Sequence, residues 1–198
     1  DRAVRMAFFD SLLERTAALP GVRSVGSISL LPLSGTASSG TTRVDQTDEF
    51  PEDRAYVEAD RRYVSPDYFP TMGVRVVKGR NFSPADAGDA PLVAVVDEEF
   101  VRRFWPNADP IGKNISIAFN PPVWREVVGV VAHSRHTDLQ TVGREQVYMP
   151  YRQVSQGGMF LAIKTEGDPL ALANVVRSEV WALDSDQPVD DVATMASR

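Results

Sequence analysis

Apolar side chains recur at helical spacing near the start of the chain. Val4, Phe8 and Leu12 fall on one stripe, and charged residues lie mostly elsewhere. This spacing predicts an amphipathic helix with one face packed against the rest of the protein. Pro20 is expected to end that helix, and the run 22–30 is predicted to be a strand directly after it.

Further strands are predicted wherever short apolar or alternating runs are bounded by turn residues. These runs are 55–64, 74–77, 92–96, 115–119, 123–131, 146–150, 159–165 and a final short one at 189–192. The stretch 33–53 is rich in Ser, Thr, Gly, Asp and Glu. That composition predicts a long loop between the first two strands.

Three more helices are indicated by their end signals. A short one is expected at 67–72, with Gly73 after its last turn. Asp97 is expected to cap a second, which runs to about Trp105. Asp168 is followed by a proline, which suits the first turn of a long C-terminal helix.

The order of these elements predicts an α+β fold with two lobes. The chain begins and ends with matching helix and strand elements, and a mixed region lies between them. We therefore expect a split βαβ-type, porter-like lobe from residues 1–62 and 152–198. Residues 63–151 would form a smaller mixed α/β lobe inserted into it.

Composition and charge narrow the function. The 198 residues carry a formal net charge of −6 and no cysteine. The charge disfavours nucleic acid as a partner, and the missing thiols exclude disulfides and thiolate chemistry. Runs such as 92–96 are far shorter than the ~20 apolar residues of a membrane span. Because Asp1 already stands in helical periodicity, we interpret the chain as a piece of a longer protein.

One stretch has the glycine spacing of a phosphate-binding loop. Gly35 and Gly40 are five residues apart, but Thr41 stands where that loop requires lysine. A polar loop is the favoured interpretation, and no nucleotide or other cofactor is expected.

His133 and His136 are the only histidines, with Asp138 nearby. Two histidines on one helical turn can bind zinc, but these follow a strand and have no marked third ligand. We expect solvated histidines at a strand end. Neither Ser134 nor Ser155 has the glycine setting of an exposed nucleophile. No catalytic, cofactor or metal residue is assigned.

Other charged groups near Asp97 have structural explanations. Glu98 and Glu99 suit a helix start, where the helix dipole favours acids. Arg102 and Arg103 are expected to face water while the neighbouring aromatic residues face the core.

Three stretches resemble a known family. The first is Tyr63 to Phe69, continuing through Met72-Gly73-Val74 to Lys78-Gly79-Arg80-Asn81-Phe82. The second is Val93 to Phe100, then Arg103-Phe104-Trp105-Pro106 and Asp109-Pro110-Ile111-Gly112-Lys113. The third is Val127 to Val131 with Val147 to Tyr151. Together they resemble the MacB-like periplasmic core domain of FtsX-like ABC transporter permeases. Asp97 stands where many relatives have asparagine, and either side chain caps a helix.

The resemblance implies a function without catalysis. The domain would lie in the periplasm, between the first two of four membrane helices of an inner-membrane permease. It would work as a dimer with a second permease subunit and with an ABC nucleotide-binding domain. Cytoplasmic ATP hydrolysis would move it, a mechanism called mechanotransmission, and it would contact a periplasmic adaptor or export cargo. The transported substrate is not implied.

Two alternatives remain open at this stage. One is a freestanding periplasmic ligand-binding protein. The other is a hydrolase that uses His133 or His136.

Overall fold

Residues 1–32, 38–45, 56–119, 121–134, 143–154 and 156–197 are described in the computed structural model of the chain. The helices are α1 (Arg2–Ala17), α2 (Tyr68–Met72), α3 (Glu98–Phe104) and α4 (Ala173–Leu183). The strands are β1 (Val22–Ile28), β2 (Ser39–Val44), β3 (Tyr56–Val64), β4 (Val76–Gly79), β5 (Val93–Asp97), β6 (Asn114–Phe119), β7 (Pro122–Val131), β8 (Gln146–Pro150) and β9 (Phe160–Thr165). Single 3₁₀ turns occur at Tyr151–Gln153, Pro169–Leu172 and Met195–Ser197.

Six strands pair in a closed ring, in the order β2, β3, β8, β5, β7, β6 and back to β2. β3 runs parallel to β8 and β5 parallel to β7, while the other four pairings are antiparallel. Each of these six strands has a partner on both sides, so the ring has no open edge of backbone hydrogen-bonding groups.

The ring encloses an apolar inner cluster. Because side chains alternate along a strand, each ring strand sends one set of residues inward. The inward set is Val44, Val57, Ala59, Ala94, Val96, Ile115, Val127, Val130, Val147 and Met149. α3 follows β5 and adds Phe100 and Phe104 to the same cluster, and Trp105 directly after α3 joins them. The tightly packed aromatic residues of α3 therefore complete the core at the end of the ring where β5 finishes.

A second, outer cluster lies between the ring and α2. Ring residues such as Val64, Val95 and Tyr148 contact Tyr68 and Phe69 there. The rings of Phe69 and Tyr148 meet edge to face, with centroids 4.9 Å apart. The short helix α2 is thus held by burial of its aromatic side chains, and Gly73 ends it at a φ of 71°, in the left-handed region.

The remaining elements extend the sheet beyond the ring. β1 pairs with β9 along most of its length and meets β3 at Ile28 and Val64. β4 pairs with the C-terminal end of β7. α1 packs on β1 and on α4. Arg15 of α1 and Glu179 of α4 approach within 3.4 Å of each other.

The predicted α+β class is confirmed, and most predicted elements lie within a few residues of the observed ones. Two predictions were wrong. Within the predicted loop 33–53, Ser39–Val44 is a strand, because its polar residues gain backbone partners on both sides. No strand forms at 189–192, where Asp191 has a φ of 53°, a conformation that strands do not contain. The division into two lobes stays a prediction.

Candidate functional site

A buried carboxylate organises the end of the ring where α3 begins. Asp97 is fully buried, and its Oδ1 accepts hydrogen bonds from the backbone N–H groups of Phe100 (2.9 Å) and Gln146 (3.1 Å). Its Oδ2 lies 2.5 Å from Nδ1 of His133. Burial raises the pKa of Asp97, and the hydrogen bond from His133 opposes that rise. This side chain therefore caps α3 and also ties β5 to β8 and to the segment after β7.

Polar contacts continue from Asp97 along the neighbouring strands. The hydroxyl of Tyr148 donates to Oε1 of Gln146 at 2.6 Å. The amide of Gln146 donates to the backbone carbonyl of Ser134. On β3, the buried Arg62 donates to Oδ2 of Asp60 at 3.3 Å. Burial is the main cause that raises the pKa of Tyr148, so its hydroxyl stays protonated and serves as a donor.

The turn after α3 is held by packing of Trp105 and by a hydrogen bond and an ion pair at Asp109. Trp105 is 3% exposed, and its ring centroid lies 5.5 Å from that of Phe100. Asp109 accepts a hydrogen bond from the backbone N–H of Ile111 at 3.0 Å and forms an ion pair with the ammonium of Lys78 at 2.9 Å. The turn borders a shallow groove of about 400 Å³, whose lining includes Val77. None of these contacts prepares an acid, a base or a nucleophile for chemistry.

A larger cleft of about 630 Å³ lies between α1, β1, α2 and the turn after β8. Two of its charged side chains, Asp10 and Arg152, pair with each other. Asp10 accepts from the Tyr151 hydroxyl and from Nε of Arg152, the latter at 3.0 Å. Another nitrogen of Arg152 reaches the carbonyl of Pro84 at 3.3 Å. These bonds join α1 to the end of β8 across the cleft.

The structure corrects one prediction about the histidines. His133 is not solvated, because its side chain is only 13% exposed and contacts the buried Asp97. Across the described residues, no group of three or more His, Asp or Glu side chains is placed to hold a metal ion. His136, Asp138, Ser155 and Gly35 lie outside the described residues.

The predicted orientation of the two arginines on α3 is supported by their surroundings. Arg102 and Arg103 have largely exposed side chains that pair with Glu99 and Glu145, at 2.5 and 2.7 Å. Sequence reasoning missed the buried Arg62 and Arg125, since strand residues of this type carry no signal of burial in a single sequence.

Along the described parts of the chain, no helix combines the length and apolar character that crossing a bilayer requires. The family comparison matches residues 3–179, from the start of α1 into α4, to the model described as the MacB-like periplasmic core domain. The chain belongs to this family. The matched range includes the nine strands that the described residues of this MacB-like domain form.

Solved structures share the fold at low sequence identity. The periplasmic region of MacB from Actinobacillus actinomycetemcomitans aligns with a TM-score of 0.62 and 17% identity, over 88% of this chain and 73% of that one. The extracellular domain of the noncanonic ABC-type transporter YknZ from Gram-positive bacteria gives a TM-score of 0.58 and 16% identity, over 88% and 81%. At these identities the likeness shows a shared fold.

A longer relative is also similar in sequence. The macrolide export ATP-binding/permease protein MacB of Bartonella henselae (strain ATCC 49882 / DSM 28221 / CCUG 30454 / Houston 1) is 31% identical over 93 residues. That match covers 46% of this chain and 13% of the relative's length. The MacB-like domain thus spans a small part of the curated relative that it matches.

Proposed function

We propose that this MacB-like domain is the periplasmic part of an ABC transporter permease and transmits movement without catalysing a reaction. The observation that carries the proposal is the family match over residues 3–179, together with a fold shared with two transporter domains. In this proposal, ATP hydrolysis by a nucleotide-binding domain in the cytoplasm moves the domain. Two permease subunits act as a dimer, and the moving surface contacts a periplasmic adaptor or cargo.

The ring supports a mechanical role because it is suited to move as one body. Its six strands form a closed ring of paired strands, and the inner cluster includes residues from all six strands together with Trp105. Protein interiors packed in this way resist compression and pass displacement on. The two-lobe division, residues 1–62 with 152–198 against 63–151, stays a separate prediction, because its boundary would cut the ring within β3.

α1 has a direct connection through which displacement would reach the ring. Asp10 contacts both Tyr151 and Arg152, which follow β8 immediately. Near the start of α1, Arg2 donates to the backbone carbonyl of Arg152 at 2.9 Å. A shift of α1 along its axis would therefore pull on the end of β8, a strand of the ring, rather than on a free loop.

The experiment is a cysteine crosslink in the full-length permease. The chain has no cysteine of its own. Once any cysteines elsewhere in the permease are replaced, single cysteines at the exposed positions Val4, Leu170 and Met195 report on one position each. Oxidation of a position that crosslinks two subunits should stop transport while ATP still binds, and reduction should restore transport. A position that does not crosslink is the control for oxidation. Full transport by crosslinked subunits would contradict the proposal.

A second arm addresses the absence of catalysis. Replacement His133→Asn keeps a hydrogen-bonding group beside Asp97 but removes the imidazole. Transport by this variant should stay close to that of the unchanged permease. Hydrolysis of a substrate by the isolated domain that disappears in His133→Asn would instead support an enzyme.

A further inference from the structure

Arg125 lies inside the ring, at the end opposite α3. It is 4% exposed and pairs with Ile115 across β6 and β7. It has the same strand parity as Val127, and both Ile115 and Val127 belong to the inner cluster. The next residue, Glu126, pairs with Val93 at the start of β5, whereas α3 follows the end of β5. A cationic side chain therefore occupies the core at this end.

Among the described residues, the bonds of Arg125 leave its charge without a counterion. Its Nη1 donates to Oε1 of Gln153 at 3.1 Å, and the same oxygen also accepts the backbone N–H of Val93. Its Nε is buried and has no hydrogen-bond partner. Within the described chain, Arg125 has no carboxylate within 4 Å, whereas the equally buried Arg62 has Asp60.

A buried guanidinium without an anion is unfavourable. Removing a charge from water costs several kcal/mol unless a partner of opposite charge compensates. Burial lowers the pKa of Arg125, although nearby Tyr63 opposes this. A guanidinium nevertheless stays protonated in proteins, so the positive charge persists.

A second arginine faces the same end of the ring. Arg61 has the strand parity of Val57 and Ala59, and its guanidinium lies over Gly40, where an added Cβ would be 2.7 Å from Cζ. It donates to the carbonyl of Thr41, yet its Nε is also buried without a partner. Burial lowers the pKa of Arg61 as well, and Tyr63 and Glu58 oppose the change. Tyr63 has the same strand parity as Arg61 and packs against the inner cluster, so it lies on the inner face of the ring with both arginines.

We propose that Arg125, Arg61 and Tyr63 form a binding site for a small oxyanion, a carboxylate or phosphate group. The planar guanidinium presents neighbouring N–H donors that match the oxygens of either group. The Tyr63 hydroxyl supplies a further donor. Arg61 and Tyr63 are only half-buried, and in this proposal the anion reaches Arg125 from solvent past these two side chains. This site depends on the fold alone and goes beyond the transport proposal.

The first experiment measures the melting temperature of the domain at pH 7 in sodium phosphate, sodium acetate and sodium chloride at equal ionic strength. Phosphate or acetate should raise the melting temperature of the unchanged domain in a saturable way, because an anion that binds only the folded state stabilises it. Arg125→Gln should lose at least half of the rise. Arg102→Gln, which removes an exposed arginine already paired with Glu99, should keep it. General salt effects on stability act on all three proteins alike.

A second measurement does not depend on a variant that folds. The Nε–H signals of the unchanged domain are followed by NMR during titration with inorganic phosphate and with acetate. The signals of Arg125 and Arg61 should shift together and saturate, while that of Arg102 should not. Saturation by only one of the two anions supports the site and identifies its preference. If neither anion shifts Arg125, or if Arg125→Gln keeps the full thermal response, the proposal is wrong.

Discussion

Replacement of Trp105 by alanine tests whether the aromatic turn after α3 holds the inner cluster together. Trp105 is 3% exposed, and its aromatic side chain packs against Phe100 and Phe104, with ring centroids 5.5 and 6.5 Å away. Truncation of a buried tryptophan costs about 3–5 kcal/mol, since apolar burial is lost and a cavity is left. The expected loss is therefore a large part of the ~5–15 kcal/mol that keeps a typical domain folded.

The chain provides a matched control in its own sequence. Trp181 on α4 is 51% exposed, and its indole N–H donates to the carbonyl of Gln187 at 3.2 Å. Trp181→Ala removes the same number of atoms but opens no cavity in the core. Its cost should stay below about 1 kcal/mol, as for most surface changes.

Urea unfolding followed by circular dichroism separates the two variants. The midpoint should fall sharply for Trp105→Ala with little change in the slope, which indicates a change in stability rather than in the unfolded state. For a domain of this size, each kcal/mol corresponds to roughly 2–4 °C in melting temperature. Equal losses for Trp105→Ala and Trp181→Ala would refute the assignment of Trp105 to the core.

Three further predictions address buried charge and close packing. Burial raises the pKa of Asp97, so the contribution of Asp97 to stability is full below its ordinary pKa and is lost as the pH rises through its pKa in the folded state. Asp97→Asn should therefore make the free energy of unfolding depend less on pH. The hydrogen bond from Arg80 lowers the pKa of Asp86, so its contribution to stability is full above the ordinary pKa and is lost as the pH falls through the lowered folded value; Asp86→Asn should remove that acid sensitivity. At Gly129 an added Cβ would lie 2.1 Å from the carbonyl oxygen of Arg80, so Gly129→Ala should cost about 3 kcal/mol in urea unfolding. Gly157→Ala, where nothing lies within 4 Å, should leave the stability nearly unchanged.

The helix cap at Asp97 shows how far local sequence patterns reach. An aspartate between an apolar strand and a helical stripe predicts the cap, and the bond from the Phe100 N–H confirms it. The contact with His133 joins residues 36 apart. It arises because β5 and β7 run parallel in the ring and place Asp97 beside Val131. Strand order is a property of the whole chain, so the residues around Asp97 contain no signal of this partner.

β2 could not be predicted for a related reason. Ser39–Val44 contains mostly polar residues, and only Thr42 and Val44 are fully buried. Its position is fixed by pairing with β3 on one side and β6 on the other, and these pairings satisfy its backbone groups. Side-chain polarity alone therefore indicates a loop, whereas the closed ring requires a strand at this place.

The burial of two arginines could not be predicted from the sequence and is shown only by the fold. Arg62 and Arg125 both lie in strands next to apolar residues, and neither pattern distinguishes them. Arg62 has Asp60 two positions earlier on the same face of β3, so its counterion comes with the strand. Arg125 has Val123 and Val127 two positions before and after it, and neither can neutralise a charge. An anion for Arg125 must therefore come from another element or from solution. Among the described residues, the hydrogen-bond partner of Arg125 is the neutral amide of Gln153, and the proposed oxyanion site would supply the anion from solution.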